Sequence, residues 1–149
     1  WKSCRPAPFP IALTLSGVSV GPLNQADSYK IGSDDGKFLF GFKEAWTIAP
    51  ERSGPHNWED WGFKTALRAI DALAAATTGT AFSVDPSRLF IAGHSRGGHG
   101  AWSVAERIPD RTLGVSAASG WTYRQYGDVS WNAPFVHDIQ NSYLDLELK

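Results

Sequence analysis

Cysteine is almost absent from this chain: Cys4 stands alone among 149 residues. That excludes an internal disulfide and any cysteine-based zinc cluster within the chain. An excess of charge of one sign is missing too. Lys and Arg number 14 against 15 Asp and Glu, for a net charge of −1, and the cations are scattered. There is thus no electrostatic footprint for nucleic acid or an anionic membrane, and neither is expected as a partner. No apolar run approaches the roughly 20 residues needed to span a bilayer. The first residues lack the charged-then-hydrophobic order of a signal peptide, but the chain starts at Trp1 rather than Met, so the compartment stays open. The four histidines, His56, His94, His99 and His137, form no ligand pair such as H-E-x-x-H, so no metal site is expected.

What is present suits one globular domain, with 42% hydrophobic and 13% aromatic residues and no repeat or low-complexity tract. The run Pro8 to Leu15 reads as a buried strand ending at Ser16-Gly17. The polar stretch Gly21 to Lys37 reads as loop with at most one helical turn. Phe38 to Phe42 and Glu44 to Ala49 are strand-like, the second ending at Pro50. Asn57 is placed to cap a helix with Glu59 and Asp60 in its first turn. Along that helix Phe63, Leu67, Ile70 and Ala74 form one apolar stripe, and Gly79 follows its tail. Asp85-Pro86-Ser87 predicts a turn, and Arg88 to Ala92 a fully buried parallel strand.

From Arg96 to Ile108 the period is helical again, with Ala101, Val104, Ala105 and Ile108 on one face before Pro109. Thr112 to Ala118 reads as another buried strand. Strand, helix, strand, helix, strand in this order predicts an α/β fold, a mostly parallel sheet with helices on both faces. Beyond Gly120 the aromatics Trp121, Tyr123, Tyr126, Trp131 and Phe135 are irregularly spaced, so 121–149 suits a cap over a pocket, and the sheet looks incomplete at its C-terminal side.

Chemistry concentrates at Gly93-His94-Ser95-Arg96-Gly97, a G-x-S-x-G sequence directly after a buried strand and at the first turn of a helix. Small residues are needed there because the serine sits on a strained turn pressed against its neighbours. The turn lifts the Ser95 hydroxyl above the strand ends. The helix start offers N–H groups that have no partner within the helix and a positive dipole end to a developing oxyanion, the N–H of Arg96 being the first candidate donor. A second donor is expected from the loop Leu15-Ser16-Gly17-Val18, with the N–H of Val18 as the candidate. Gly93, His94, Gly97 and Gly98 are read as supports of the turn, His94 packing behind it. His99, one helical turn after Ser95, reads as a satisfied histidine, and His56-Asn57-Trp58 as either a site rim or the approach to the helix.

The stretch Asp85 to Trp102 resembles the nucleophile region of α/β hydrolases, in particular prolyl oligopeptidase-like and esterase-like members. The turn before the strand, the histidine before the serine and the double glycine after it all match. Ser16 stands where the family's oxyanion loop more often has histidine, and Arg96 where an uncharged residue is commoner. The Arg96 side chain is therefore a candidate for meeting a substrate carboxylate. The resemblance implies a serine hydrolase that cleaves a small ester or peptide through an acyl-enzyme on Ser95 and needs no cofactor. It further implies that the triad acid and histidine follow later strands, so that 1–149 is a partial domain, an N-terminal catalytic fragment whose base lies beyond residue 149. His137-Asp138 is the one downstream pair that could substitute, but adjacent residues point in different directions. A non-catalytic binding protein on the same fold and an inactive truncated product are the alternatives. The oligomeric state is left open.

Overall fold

The computed structural model describes residues 8–53 and 56–120. The expected cap 121–149, the His137-Asp138 pair and Cys4 lie outside them. Four strands make one parallel sheet: β1 (Phe9–Leu15), β4 (Trp46–Ile48), β5 (Val84–His94) and β6 (Thr112–Ala118), in the order β4-β1-β5-β6. Between β1 and β4 the chain forms a short helix, α1 (Pro22–Asp27), and an antiparallel ribbon of β2 (Lys30–Gly32) with β3 (Phe38–Gly41). Gly21 to Lys37, expected to be loop with at most one helical turn, is thus more ordered, its short elements closing locally through Pro22 at the helix start and the Gly36 turn, while β3 falls within the strand-like run Phe38 to Phe42.

Helix α2 (Trp61–Thr77) joins β4 to β5, and α3 (Arg96–Arg107) joins β5 to β6. Both crossovers run in the same direction across the sheet, so right-handed connection puts α2 and α3 on one face, where they touch each other. The core lies beneath them: Ile11, Leu13 and Leu15 of β1 and Leu89 and Ile91 of β5 pack with Ala66 and Ile70 of α2 and Ala101 and Val104 of α3. Alternation along β5 sends Phe90 the other way, where its ring lies 5.5 Å from that of Phe42 in the β1–β4 connection. The second face is therefore covered by this connection rather than by a long helix.

The crossover from β1 leaves toward β4, and the one from β4 returns past β1 to β5. Such a reversal opens a crevice at the C-terminal ends of the two strands that flank it, here β1 and β5. Leu13 pairs with Ile91 and Leu15 with Gly93, so the two strands end side by side.

Three local expectations are corrected. Asp85-Pro86-Ser87 does not separate two elements but is absorbed into β5. Asp85 Oδ1 accepts from the Ser87 N–H at 2.9 Å, and the pairing with β1 jumps from Phe9–Val84 to Ile11–Leu89, so the turn survives as a bulge. Thr112–Ala118 is a strand but not a buried one, its residues alternating between half-buried and exposed, because it is an edge among the described strands. Asn57 does not cap α2. The helix starts at Trp61 after Asp60, and Asn57 is buried with neither side-chain polar atom hydrogen-bonded. Trp58 at φ +68° and Asp60 at φ +38° break the helical path, delaying the helix until Trp58 has entered the core.

Candidate active site at the ends of β1 and β5

Ser95 occupies the corner between β5 and α3 with φ +58° and ψ −118°. A side chain rarely adopts that conformation, which costs about 1–3 kcal/mol and persists only where the surroundings enforce it. The enforcing contacts are visible. The Ser95 N–H donates to the Ala118 carbonyl at 2.9 Å, and the Ser95 carbonyl accepts the first α3 bond, from the His99 N–H at 3.0 Å. A methyl group on Gly93 would come within 2.2 Å of the Gly97 carbonyl oxygen, and one on Gly97 within 1.8 Å of the Leu15 carbonyl oxygen. Backbone is thus stacked on backbone across the corner, as the G-x-S-x-G spacing requires. A methyl on Gly98 would likewise come within 2.7 Å of the Ala118 carbonyl oxygen at the end of β6.

The loop after β1 abuts this corner. A methyl on Gly17 would lie 3.0 Å from the His94 carbonyl oxygen and 3.6 Å from Ser95 Cβ. Val18 follows in a turn and is exposed. Ser95, Arg96 and the Gly17-Val18 loop therefore share one end of the sheet. His94, expected to pack behind the elbow, is exposed instead. As the last residue of a strand whose Gly93 faces inward, it meets the β1 loop through its carbonyl and not its ring.

A third segment, 56–60, was flagged in the sequence only as a rim or an approach to the helix. It supplies the tightest polar contacts near the elbow. Trp58 is fully buried and donates its indole N–H to the Ser16 carbonyl at 2.9 Å. Its backbone N–H donates to His56 Nδ1 at 3.2 Å. Glu59 and His99, both buried, are joined by a 2.6 Å bond between Oε1 and Nε2, so the histidine one turn after the nucleophile is held by a carboxylate from the segment before α2. No sequence signal could pair them, since the partners lie 40 positions apart and no spacing links the two segments. Removing one partner of a buried pair strands the other. Glu59→Ala is expected to cost about 3 kcal/mol, read as a lower urea midpoint with unchanged m-value; a shift of less than a third of that would show that the pair adds little.

The electrostatics around the elbow are cationic. Arg52, in the loop after β4, donates from Nη1 to the His56 carbonyl at 3.0 Å. The Arg96 guanidinium is pushed down to about 10, first by burial and then by the positive charge of Arg52. His56 is likewise pushed down, by burial and then by Arg52, with Glu59 opposing. Among the described residues no histidine is hydrogen-bonded to the Ser95 hydroxyl, and no cluster of three His, Cys, Asp or Glu is placed to hold a metal. No helix among them is long and apolar enough to cross a membrane. A cavity lined by Phe9, Lys30, Ala45, Trp46 and Phe82 lies at the start of β1 and β4, the opposite end of the sheet from Ser95.

Fold and site together define an α/β protein with a mostly parallel sheet and a strand–serine–helix corner at its switch point. No family model matches the chain. It is 30% identical over 84 residues to an uncharacterized secreted protein of Arthroderma benhamiae, the match covering 52% of this chain and 9% of that protein. The solved structure of esterase Est22 is similar with a TM-score of 0.41 and 16% identity, over 86% of this chain and 42% of its own. The chain thus spans less than half the length of either.

Proposed function

We propose that this chain carries the nucleophile and oxyanion half of a serine hydrolase of the α/β-hydrolase type, acting on a carboxylic ester or a peptide bond. The observation that carries the reading is the strained backbone of Ser95 at the start of α3, on the crevice between β1 and β5. A serine that only capped the helix would sit in the extended region and bond back to the helix through its hydroxyl, but Ser95 makes no such capping bond.

In this mechanism the Ser95 oxygen attacks the substrate carbonyl carbon, and a histidine outside the described residues takes its proton. The resulting oxyanion is held by the N–H of Arg96 and by that of Val18. Collapse expels the alcohol or amine, which receives the proton, and water then releases the acid and regenerates Ser95. The Arg96 side chain, beside the nucleophile, is suited to a carboxylate on the substrate. No cofactor takes part.

The test is a fluorophosphonate probe applied to the full-length protein, followed by trypsin and mass spectrometry. The expected adduct is on the peptide Leu89–Arg96, in which Ser95 is the sole hydroxyl residue. A folded protein with no adduct on that peptide would refute the reading.

A further inference from the structure

Trp58 touches both halves of the proposed oxyanion site. Its indole N–H holds the Ser16 carbonyl at 2.9 Å, in the loop after β1. On the other side its side chain lies against α3, where a methyl on Gly100 would come within 2.5 Å of Trp58 Cβ and 2.7 Å of its ring. The next residue, Glu59, grips His99 of the same helix at 2.6 Å. One short segment, fully buried at Trp58 and at φ +68° there, therefore braces the β1 loop against the helix that starts at the nucleophile.

The bond to Ser16 has a directional consequence. A peptide unit is planar and trans, so its C=O and N–H point in opposite directions. With the Ser16 carbonyl drawn toward Trp58, the N–H of Gly17 in the same peptide points away from it. Gly17 is the residue that abuts the His94 carbonyl and Ser95 Cβ. A rotation of this peptide would turn that N–H aside and carry the following Val18 peptide with it.

We infer that Trp58 is a positioning residue of the proposed hydrolase, its indole N–H setting the orientation of the Ser16–Gly17 peptide and, through it, of the Val18 N–H that meets the oxyanion. This rests on the serine hydrolase reading and adds to it which residue holds the loop donors. Interactions made only in the transition state raise kcat, whereas packing residues alter stability. Misplacing a catalytic group by about an ångström costs roughly 100-fold in rate.

The experiment removes the indole N–H in the full-length protein, together with ring volume in Trp58→Phe and by itself in β-(3-benzothienyl)alanine at the same position, which keeps the bicyclic shape and exchanges N–H for sulfur. Hydrolysis of a p-nitrophenyl ester is measured with the affinity of a trifluoromethyl ketone that mimics the tetrahedral intermediate. The expected result is a fall in kcat of about 10- to 100-fold with KM within about 3-fold, matched by the loss of ketone affinity, while the benzothienyl protein stays folded with a melting temperature lowered by only about 4–8 °C, the effect of one lost buried hydrogen bond. Wild-type kcat and ketone affinity in a folded benzothienyl protein overturns the role of Trp58 and leaves the hydrolase reading standing. A folded wild-type protein that neither reacts with fluorophosphonate nor cleaves any ester or peptide overturns both.

Discussion

Ser95→Ala is expected to lower kcat/KM for any ester or peptide the protein cleaves by at least about 10³-fold and to abolish fluorophosphonate labelling. The acyl intermediate requires an oxygen at this position, and a methyl group leaves only what the oxyanion donors and substrate binding contribute. The fold survives the change, because alanine tolerates φ +58° and ψ −118° no worse than serine does. Ser95→Gly separates the two roles of the site. It loses the same activity but relieves the backbone strain, which exceeds the extra chain entropy of glycine, so its unfolding free energy rises by about 1 kcal/mol. The pair is checked by steady-state kinetics and urea unfolding side by side. An active Ser95→Ala protein would sink the nucleophile assignment; a Ser95→Gly protein less stable than its parent would contradict the strain.

Gly97→Val is expected to prevent folding at 37 °C. Even a single methyl at Gly97 would come within 1.8 Å of the Leu15 carbonyl oxygen and 2.6 Å of its carbon. Leu15 is fully buried and paired in register with Gly93, so the strand has nowhere to retreat. Overpacking in a core costs about 1–3 kcal/mol when side chains can shift. Here backbone meets backbone, and the cost consumes a large part of the roughly 5–15 kcal/mol that holds a typical domain together. Gly97→Ala is then a milder form of the same defect, expected to lose about 4 kcal/mol. Gly21→Ala is the control, since a methyl there meets nothing within 4 Å. Comparing soluble yield and urea midpoints of the three settles it: a Gly97→Ala midpoint equal to that of Gly21→Ala would mean that β1 and α3 do not approach as closely as described.

The segments legible in the sequence were those whose signal is local. The run ending at Leu15, the run into Gly93 and the period from Arg96 to Ile108 each fit one element, and they came out as β1, β5 and α3. The glycines around Ser95 announced a crowded corner because only they fit where backbone meets backbone. The sequence by itself therefore determined the alternation of strands and helices and the strained serine at a strand-to-helix turn. Which side of β1 each neighbour takes, that the Thr112–Ala118 strand is half exposed, and that Trp58 enters the core instead of lining a rim were decided by tertiary structure. So were the Trp58–Ser16 and Glu59–His99 bonds, each of which spans about 40 positions of chain. Periodicity reports which face of an element is apolar, but it carries no information about which distant residue will press on that face. That depends on the chain reversing at β1 and bringing the 56–60 segment, the β1 loop and the start of α3 to one end of the sheet.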